Sequence, residues 1–196
     1  VINKGKDPLV LPSVRLYEDY KKKTSIDEYN IDSIKEWDVF ADFGISLYDY
    51  QVESVMRMLM NRRTILTLKM GYGKTICALA ACKLLNLKRI LIVAPNNLKY
   101  QWANEINRFS MGDAVVVDNK NDIEKIIDQK FIILSYEMLN RNIESFVNFE
   151  YDILIADEIQ KIKNPDSVSW KSMSRLKTNF IFALSGTPIQ NTIEDI

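Results

Sequence analysis

The sequence predicts an α/β domain in which a mostly parallel β-sheet is flanked by helices. Three observations carry this expectation. Six short apolar runs recur along the chain, helix-period segments lie between them, and the residues with chemistry stand just after the runs. The runs are near-continuously apolar rather than alternating, as strands covered on both faces are. Alternation of strand and helix implies right-handed crossovers and parallel pairing. In such a sheet, ligands gather at the carboxyl ends of the strands.

Taken in order, residues 1–40 read as an irregular lead-in with one or two short helices. They hold Pro8, Pro12 and the run Lys21-Lys22-Lys23, which reads as solvated surface. Trp37 and Phe40 are expected to pack. Residues 41–196 read as one continuous unit. Its first helix places Val52, Val55, Met56 and Leu59 on one face, and the first strand is Thr64–Leu68. The second strand, Arg89–Ala94, precedes a helix with Leu98, Trp102, Ile106 and Phe109 in line. Ala114–Val117 follows, then a segment with Ile123, Ile126 and Ile127 aligned. The last three strands are Phe131–Ser135, Tyr151–Ala156 and Asn179–Leu184, with Trp170 and Met173 on a core-facing helix between the last two.

Composition bounds the function. A chain of 196 residues, 47% hydrophobic and 27% charged, builds a core without disulfides and is too apolar for a solvated coil. Lys+Arg and Asp+Glu are 26 each, so contact with nucleic acid must come from local patches. Histidine is absent, which removes Ser-His-Asp and Cys-His nucleophiles and every His-based metal site. Cys77 and Cys82 lie on different helical faces and read as reduced core thiols. No apolar run reaches the roughly 20 residues of a membrane span, no signal-peptide pattern opens the chain, and no membrane or oligomer is implied. The chain begins with Val1, as a piece of a longer protein would.

The first strand runs into Lys69-Met70-Gly71-Tyr72-Gly73-Lys74-Thr75 and then an apolar helix. Strand, glycine loop and helix make a phosphate-binding loop. Glycines let backbone N–H groups approach phosphate oxygens, and the helix N-terminus adds its dipole. Lys74 reaches the β- and γ-phosphates and Thr75 ligates magnesium in this reading. The strict pattern wants glycine where Leu68 stands, so the bland reading is a glycine turn. Tyr72 either stacks near the nucleotide or covers the loop. The fifth strand ends in Asp157-Glu158. Asp157 suits a magnesium shell and Glu158 suits a base for the attacking water, although acidic helix caps look the same. The sixth strand ends in Ser185-Gly186-Thr187-Pro188-Ile189-Gln190-Asn191, either a plain turn or a hydroxyl-lined loop that senses the nucleotide.

These blocks resemble motifs I, II and III of superfamily-two helicases, and their longer forms resemble the Swi/Snf family of double-stranded DNA translocases. Met70 to Thr75, Ile162-Lys163-Asn164 after the acidic box, and Gly186 to Asn191 carry the likeness. Leu47-Tyr48-Asp49-Tyr50-Gln51 resembles the adenine-reading motif, with its glutamine at Gln51. Val93 to Leu98 with Gln101-Trp102 resembles motif Ia, and Leu134-Ser135-Tyr136-Glu137 resembles motif Ib. The resemblance implies the first of two RecA-like lobes, with ATP and Mg2+ as cofactors. It implies duplex DNA and a second lobe of the same parent chain as partners. Gln51, Met70, Gly71, Tyr72, Gly73, Lys74 and Thr75 would hold the nucleotide, and Thr75 and Asp157 the metal. Gln160, Ser185, Gly186, Thr187 and Gln190 would couple hydrolysis to motion. Pro95, Asn96, Asn97, Ser135, Tyr136, Lys163 and Asn164 would meet the DNA backbone. For the loops after the strands, Asn and Ser as helix N-caps stay open.

Departures stand beside the matches. Leu68-Lys69 replace a common Asp-Glu, Ile159-Gln160 an Ala-His, and Tyr48-Asp49 an Arg-Pro. No second lobe with its arginine finger follows Asn191, so the isolated lobe is expected to hydrolyse ATP slowly. The rival readings are a restriction-type translocase or RNA helicase of superfamily two, and a nucleotide-sensing scaffold without turnover. Composition leans to a bacterial or phage source and the cytoplasm, with the nucleus the expectation for a eukaryotic chain.

Overall fold

Six strands form one sheet in the order β1-β6-β5-β2-β4-β3, and every neighbouring pair is parallel. They are β1 (Arg63–Thr67), β2 (Ile90–Ala94), β3 (Ala114–Val117), β4 (Phe131–Ser135), β5 (Glu150–Ala156) and β6 (Lys177–Ser185). The computed structural model describes residues 39–186 apart from Lys163 and Pro165. The lead-in with Lys21–Lys23 and Trp37, and the expected site residues Lys163, Thr187 and Gln190, lie outside the described residues. Each apolar run read from the sequence coincides with a strand to within two residues at either end, Leu68 and Arg89 lying just outside β1 and β2. The central strands β2 and β4 are buried at every residue, and the edge strand β1 at only one. That gradient is why the central runs read as unbroken apolar stretches.

The chain divides into two compact units, Val1–Glu53 and Ser54–Ile196. In the first, Phe40 is fully buried and pairs with Ile45 in an isolated antiparallel bridge. In the second, the described helices are α2 (Lys74–Leu84), α3 (Lys99–Arg108), α4 (Tyr136–Arg141), α5 (Ile143–Phe146) and α6 (Val168–Ser174). Helix α1 spans Asp49–Met60. On α1, Val55, Met58 and Leu59 are the buried apolar positions, so Met58 takes the place expected for Met56. On α3, Trp102 and Ile106 are buried, with Phe109 just beyond the helix end, as their spacing predicts. The segment after β3 is a 3-10 helix, Lys120–Ile126, opened by a reciprocal cap between Asn119 and Asp122. It stops before Ile127, which is 61% exposed rather than aligned with Ile126.

One core face stacks Leu91 and Val93 of β2, Ile132 and Leu134 of β4, and Leu154 and Ala156 of β5. Parallel register puts these residues side by side. Met173 of α6 joins this cluster, while Trp170 lines a groove of about 820 Å³ beside it. The amino end of the sheet is closed by hydrogen-bonded polar groups. The Asp152 Oδ2 accepts from the N–H groups of Lys88 and Arg89, and the Arg89 guanidinium donates to the carbonyls of Ile126 and Ile127. The carboxyl end carries the motifs.

Candidate nucleotide site

β1 ends at Thr67 in register with Ser185, the last residue of β6. The Leu68 N–H donates to the Ser185 carbonyl at 3.3 Å, so the glycine loop leaves β1 beside the end of β6. Gly71 and Gly73 have φ of 82° and 80°, the left-handed region that favours glycine. A Cβ at Gly71 would meet nothing within 4 Å, so the demand there is conformational and not steric. Gly73 is the N-cap of α2, and no side chain caps that helix. The first-turn N–H groups of an α-helix have no intrahelical partner. Here they stand at the loop with the positive end of the helix dipole. The Lys74 Nζ donates to the Leu68 carbonyl at 3.2 Å. Leu68 therefore serves through its backbone, and the strict-pattern glycine is not needed for this anchor. Met70 and Tyr72 are exposed, and Thr75 is half-buried.

Asp157 is the first residue after β5 and is buried. Its Oδ2 accepts from the Trp102 indole N–H at 2.9 Å, and its Oδ1 from the Glu158 backbone N–H at 2.9 Å. Burial pushes its carboxyl above the usual range, and the Glu158 charge adds to that. The two hydrogen bonds and, last, the Lys74 ammonium act against it. Glu158 stands at φ 51°, an uncommon conformation for a residue with a side chain. Such a residue costs on the order of 1 kcal/mol and is held by its surroundings. The Gln160 amide donates to the Glu158 Oε2, while the Gln160 Oε1 is buried without a hydrogen-bond partner among the described residues.

The end of β6 brings the two motifs together. Ser185 is fully buried. A Cβ placed on Gly186 would lie 3.4 Å from the Lys74 Nζ and 3.5 Å from the Glu158 Oε1. Lys74 and Glu158 thus reach the same point, over a glycine that leaves it open.

The loops expected to meet DNA differ from one another. After β2, Pro95 is buried, and Asn96 and Asn97 are exposed on a short 3-10 turn. After β4, the Ser135 Oγ accepts from the Met138 N–H and caps α4, the role the sequence left open. Tyr136 is buried, and its hydroxyl donates to the Asp157 carbonyl at 2.6 Å. Burial raises that phenol strongly, with the charges of Asp157 and Glu158 adding to it. Both side chains are therefore turned inward. Asn164 is exposed, and its Oδ1 accepts from the Asp166 N–H. Gln51 belongs to the unit Val1–Glu53, where it is buried and its Oε1 accepts from the Tyr48 N–H at 3.0 Å. Sequence reasoning gave Trp102 a core place and a motif match but missed its bond to Asp157. The available signal was an indole N–H on a buried helix face, where it must find a partner.

The donor set also bears on a metal. Among the described residues, no group of three or more His, Cys, Asp or Glu could hold an ion by itself. One buried carboxylate and one hydroxyl suit Mg2+, which keeps waters and takes its other ligands from substrate phosphates. Thr75 and Asp157 fit that requirement.

A family model described as the SNF2-related domain matches residues 48–196. The chain belongs to this family. The human DNA repair and recombination protein RAD54B is 32% identical to the domain over 161 residues, covering 73% of this chain and 18% of that protein. An uncharacterized ATP-dependent helicase of Mycoplasma pneumoniae is 30% identical over 165 residues, covering 77% of this chain and 16% of that one. The Sulfolobus solfataricus SWI2/SNF2 ATPase core, solved in complex with dsDNA, matches with a TM-score of 0.71 and 28% identity. That match covers 78% of this chain and 34% of that chain. The SNF2-related chain thus spans under a fifth of these two relatives and about a third of the Sulfolobus core. The Swi/Snf resemblance and the RecA-like fold read from the sequence are borne out.

Proposed function

We propose that this SNF2-related domain is the ATP-binding lobe of an ATP-dependent duplex-DNA translocase, with residues 41–196 as its first RecA-like lobe. A second lobe of the same parent chain would complete the site. The convergence at Gly186 of the Lys74 ammonium and the Glu158 carboxylate carries this reading. An uncapped helix start, a lysine and a carboxylate around one open point suit a terminal phosphate and an attacking water.

In this reading, the N–H groups from Gly71 to Thr75 and the Lys74 ammonium hold the β- and γ-phosphates. The Thr75 hydroxyl and Asp157 hold Mg2+, which, when bound, draws charge from the phosphate oxygens. Gln160 fixes one oxygen of Glu158, leaving the other to orient the water and take its proton as ATP and water become ADP and phosphate. Ser185, Gly186, Thr187 and Gln190 link that site to the second lobe, and Gln51 reads the adenine. Exposed Asn96, Asn97 and Asn164, with Lys163, track the DNA backbone, which positions a protein without reading sequence. The protein would act where duplex DNA is, in the cytoplasm of a bacterial cell or the nucleus of a eukaryotic one.

The test is the ATPase rate of the full natural chain with duplex DNA, single-stranded DNA or RNA, with Lys74→Ala as the blank. Stimulation by duplex DNA that vanishes in the variant is expected. A flat rate on all three would favour the nucleotide-sensing scaffold, and preference for RNA the helicase. The isolated 196 residues are expected to turn over slowly, because an arginine finger contributes roughly 10³–10⁵ in rate in related phosphoryl-transfer enzymes.

A further inference from the structure

We propose that Trp102 and Tyr136 are positioning residues that hold Asp157 in the orientation its ion requires. The proposal rests on the reading of Asp157 as a magnesium ligand. Asp157 leaves the sheet at the end of β5, where its backbone N–H donates to the Val93 carbonyl of β2 at 2.8 Å, and two helices reach it as well. From α3, the Trp102 Nε1–H meets the Oδ2 at 2.9 Å. From the first residue of α4, the Tyr136 hydroxyl meets the main-chain carbonyl at 2.6 Å. The Glu158 N–H takes the Oδ1. Each carboxylate oxygen accepts one hydrogen bond and keeps lone-pair capacity for a cation. Rotation of the carboxylate would break both of those bonds, while the Tyr136 bond fixes the peptide from which the side chain springs.

A buried indole or phenol needs a partner but not this one. Tyr151, also buried, gives its hydroxyl to the Phe146 carbonyl at 3.2 Å, away from the candidate site. Trp102 and Tyr136 both converge on the one residue whose buried carboxylate would bind the ion. Groups that hydrogen-bond a metal ligand fix its orientation, and losing one costs about 10–100-fold in metal affinity. A residue that merely fills the core would loosen the fold without a selective effect on the metal.

Binding of a fluorescent ATP analogue by the full natural chain, titrated with Mg2+ and repeated in EDTA, separates these roles. In Trp102→Phe, which keeps an aromatic ring and loses the donor, the Mg2+ midpoint is expected to rise on the order of tenfold. Affinity in EDTA is expected to stay unchanged. Tyr136→Phe, which deletes one oxygen, is expected to give a smaller rise in the same direction, and it decides the matter alone if Trp102→Phe fails to fold. Tyr151→Phe, the matched loss of a buried phenol bond elsewhere, is expected to leave the midpoint in place. Wild-type midpoints in both test variants would overturn the proposal, as would an equal shift in Tyr151→Phe. A wild-type chain that binds the analogue no better with Mg2+ than with EDTA would overturn the proposed function as well.

Discussion

Asp118 and Asp157 are each the first residue after a strand of one parallel sheet, β3 and β5, yet their carboxylates end in opposite electrostatic states. Asp118 follows an edge strand and accepts from the Lys99 ammonium and the Tyr100 hydroxyl, in that order of effect. These hold its carboxyl below the usual range. Asp157 follows a central strand and its carboxylate accepts only from neutral N–H groups, so burial leaves it raised. A carboxylate matched by an ammonium has little to offer a further cation. One held by neutral donors in a low dielectric gains much from a cation. The strand end supplies the location, and the partner decides whether the charge is spent or available.

The largest expected effect breaks the comparison at its functional end. Asp157→Ala is expected to lower DNA-stimulated ATPase activity by a factor on the order of 10³, in the range for losing a group that stabilises transition-state charge. Asp118→Ala is expected to leave the DNA-independent rate within about twofold. Steady-state assays of both variants check this, and a similar loss in each would remove the distinction. Gly186→Ala comes next. The added methyl makes ordinary contacts of 3.4 Å with Lys74 and 3.5 Å with Glu158, so the fold is expected to hold. The methyl intrudes where a terminal phosphate would sit, and the KM for ATP is expected to rise about tenfold, a cost of about 1.4 kcal/mol.

Stability sharpens the contrast, with the order reversed. Asp118→Asn leaves Lys99, whose side chain is 4% exposed, without its counter-charge. It is expected to cost about 2 kcal/mol at pH 7, the scale for stranding a buried polar or charged partner. The pH dependence follows from the direction of the shift. Asp118 titrates in the folded chain below its usual 3.8, so its contribution is complete above that value and lost as pH falls through and below it. The penalty of Asp118→Asn is expected to fade over the same window in denaturant titrations. Asp157→Asn gives up one of two hydrogen bonds but also removes a buried charge. It is expected to lie within about 1 kcal/mol of wild type, despite the deeper burial.

These differences mark what the sequence could carry. Continuous apolar runs located all six strands, because central strands of a parallel sheet are covered on both faces. The glycines, Lys74, Asp157 and Glu158 were legible as candidates because the proposed chemistry would need fixed residue types at strand ends. The pairing of Asp118 with Lys99 crosses 19 residues, and that of Trp102 with Asp157 crosses 55, so no local pattern records either. Ile123, Ile126 and Ile127 fitted a helical face, but a tighter 3-10 turn ended the segment at Ile126 and left Ile127 in solvent. Ser135 and Tyr136 matched a motif, yet whether such side chains face a ligand or their own fold is decided by packing.

The smallest expected effect isolates the cause that Asp157 shares with the core. Burial pushes the Cys77 and Cys82 thiols up to about 12, with no metal or nucleotide role in view. For Cys82, the Lys130 charge opposes that rise and does not cancel it. At pH 8 the thiolate fraction is then roughly one in 10⁴, too small for appreciable attack on a disulfide reagent. Native protein is expected to give no colour with such a reagent, and guanidinium-unfolded protein two equivalents. Prompt labelling of the native chain would mean that burial at α2 is less effective than the structure implies. That result would weaken the claim that burial is the largest cause raising Asp157, because both shifts rest on desolvation.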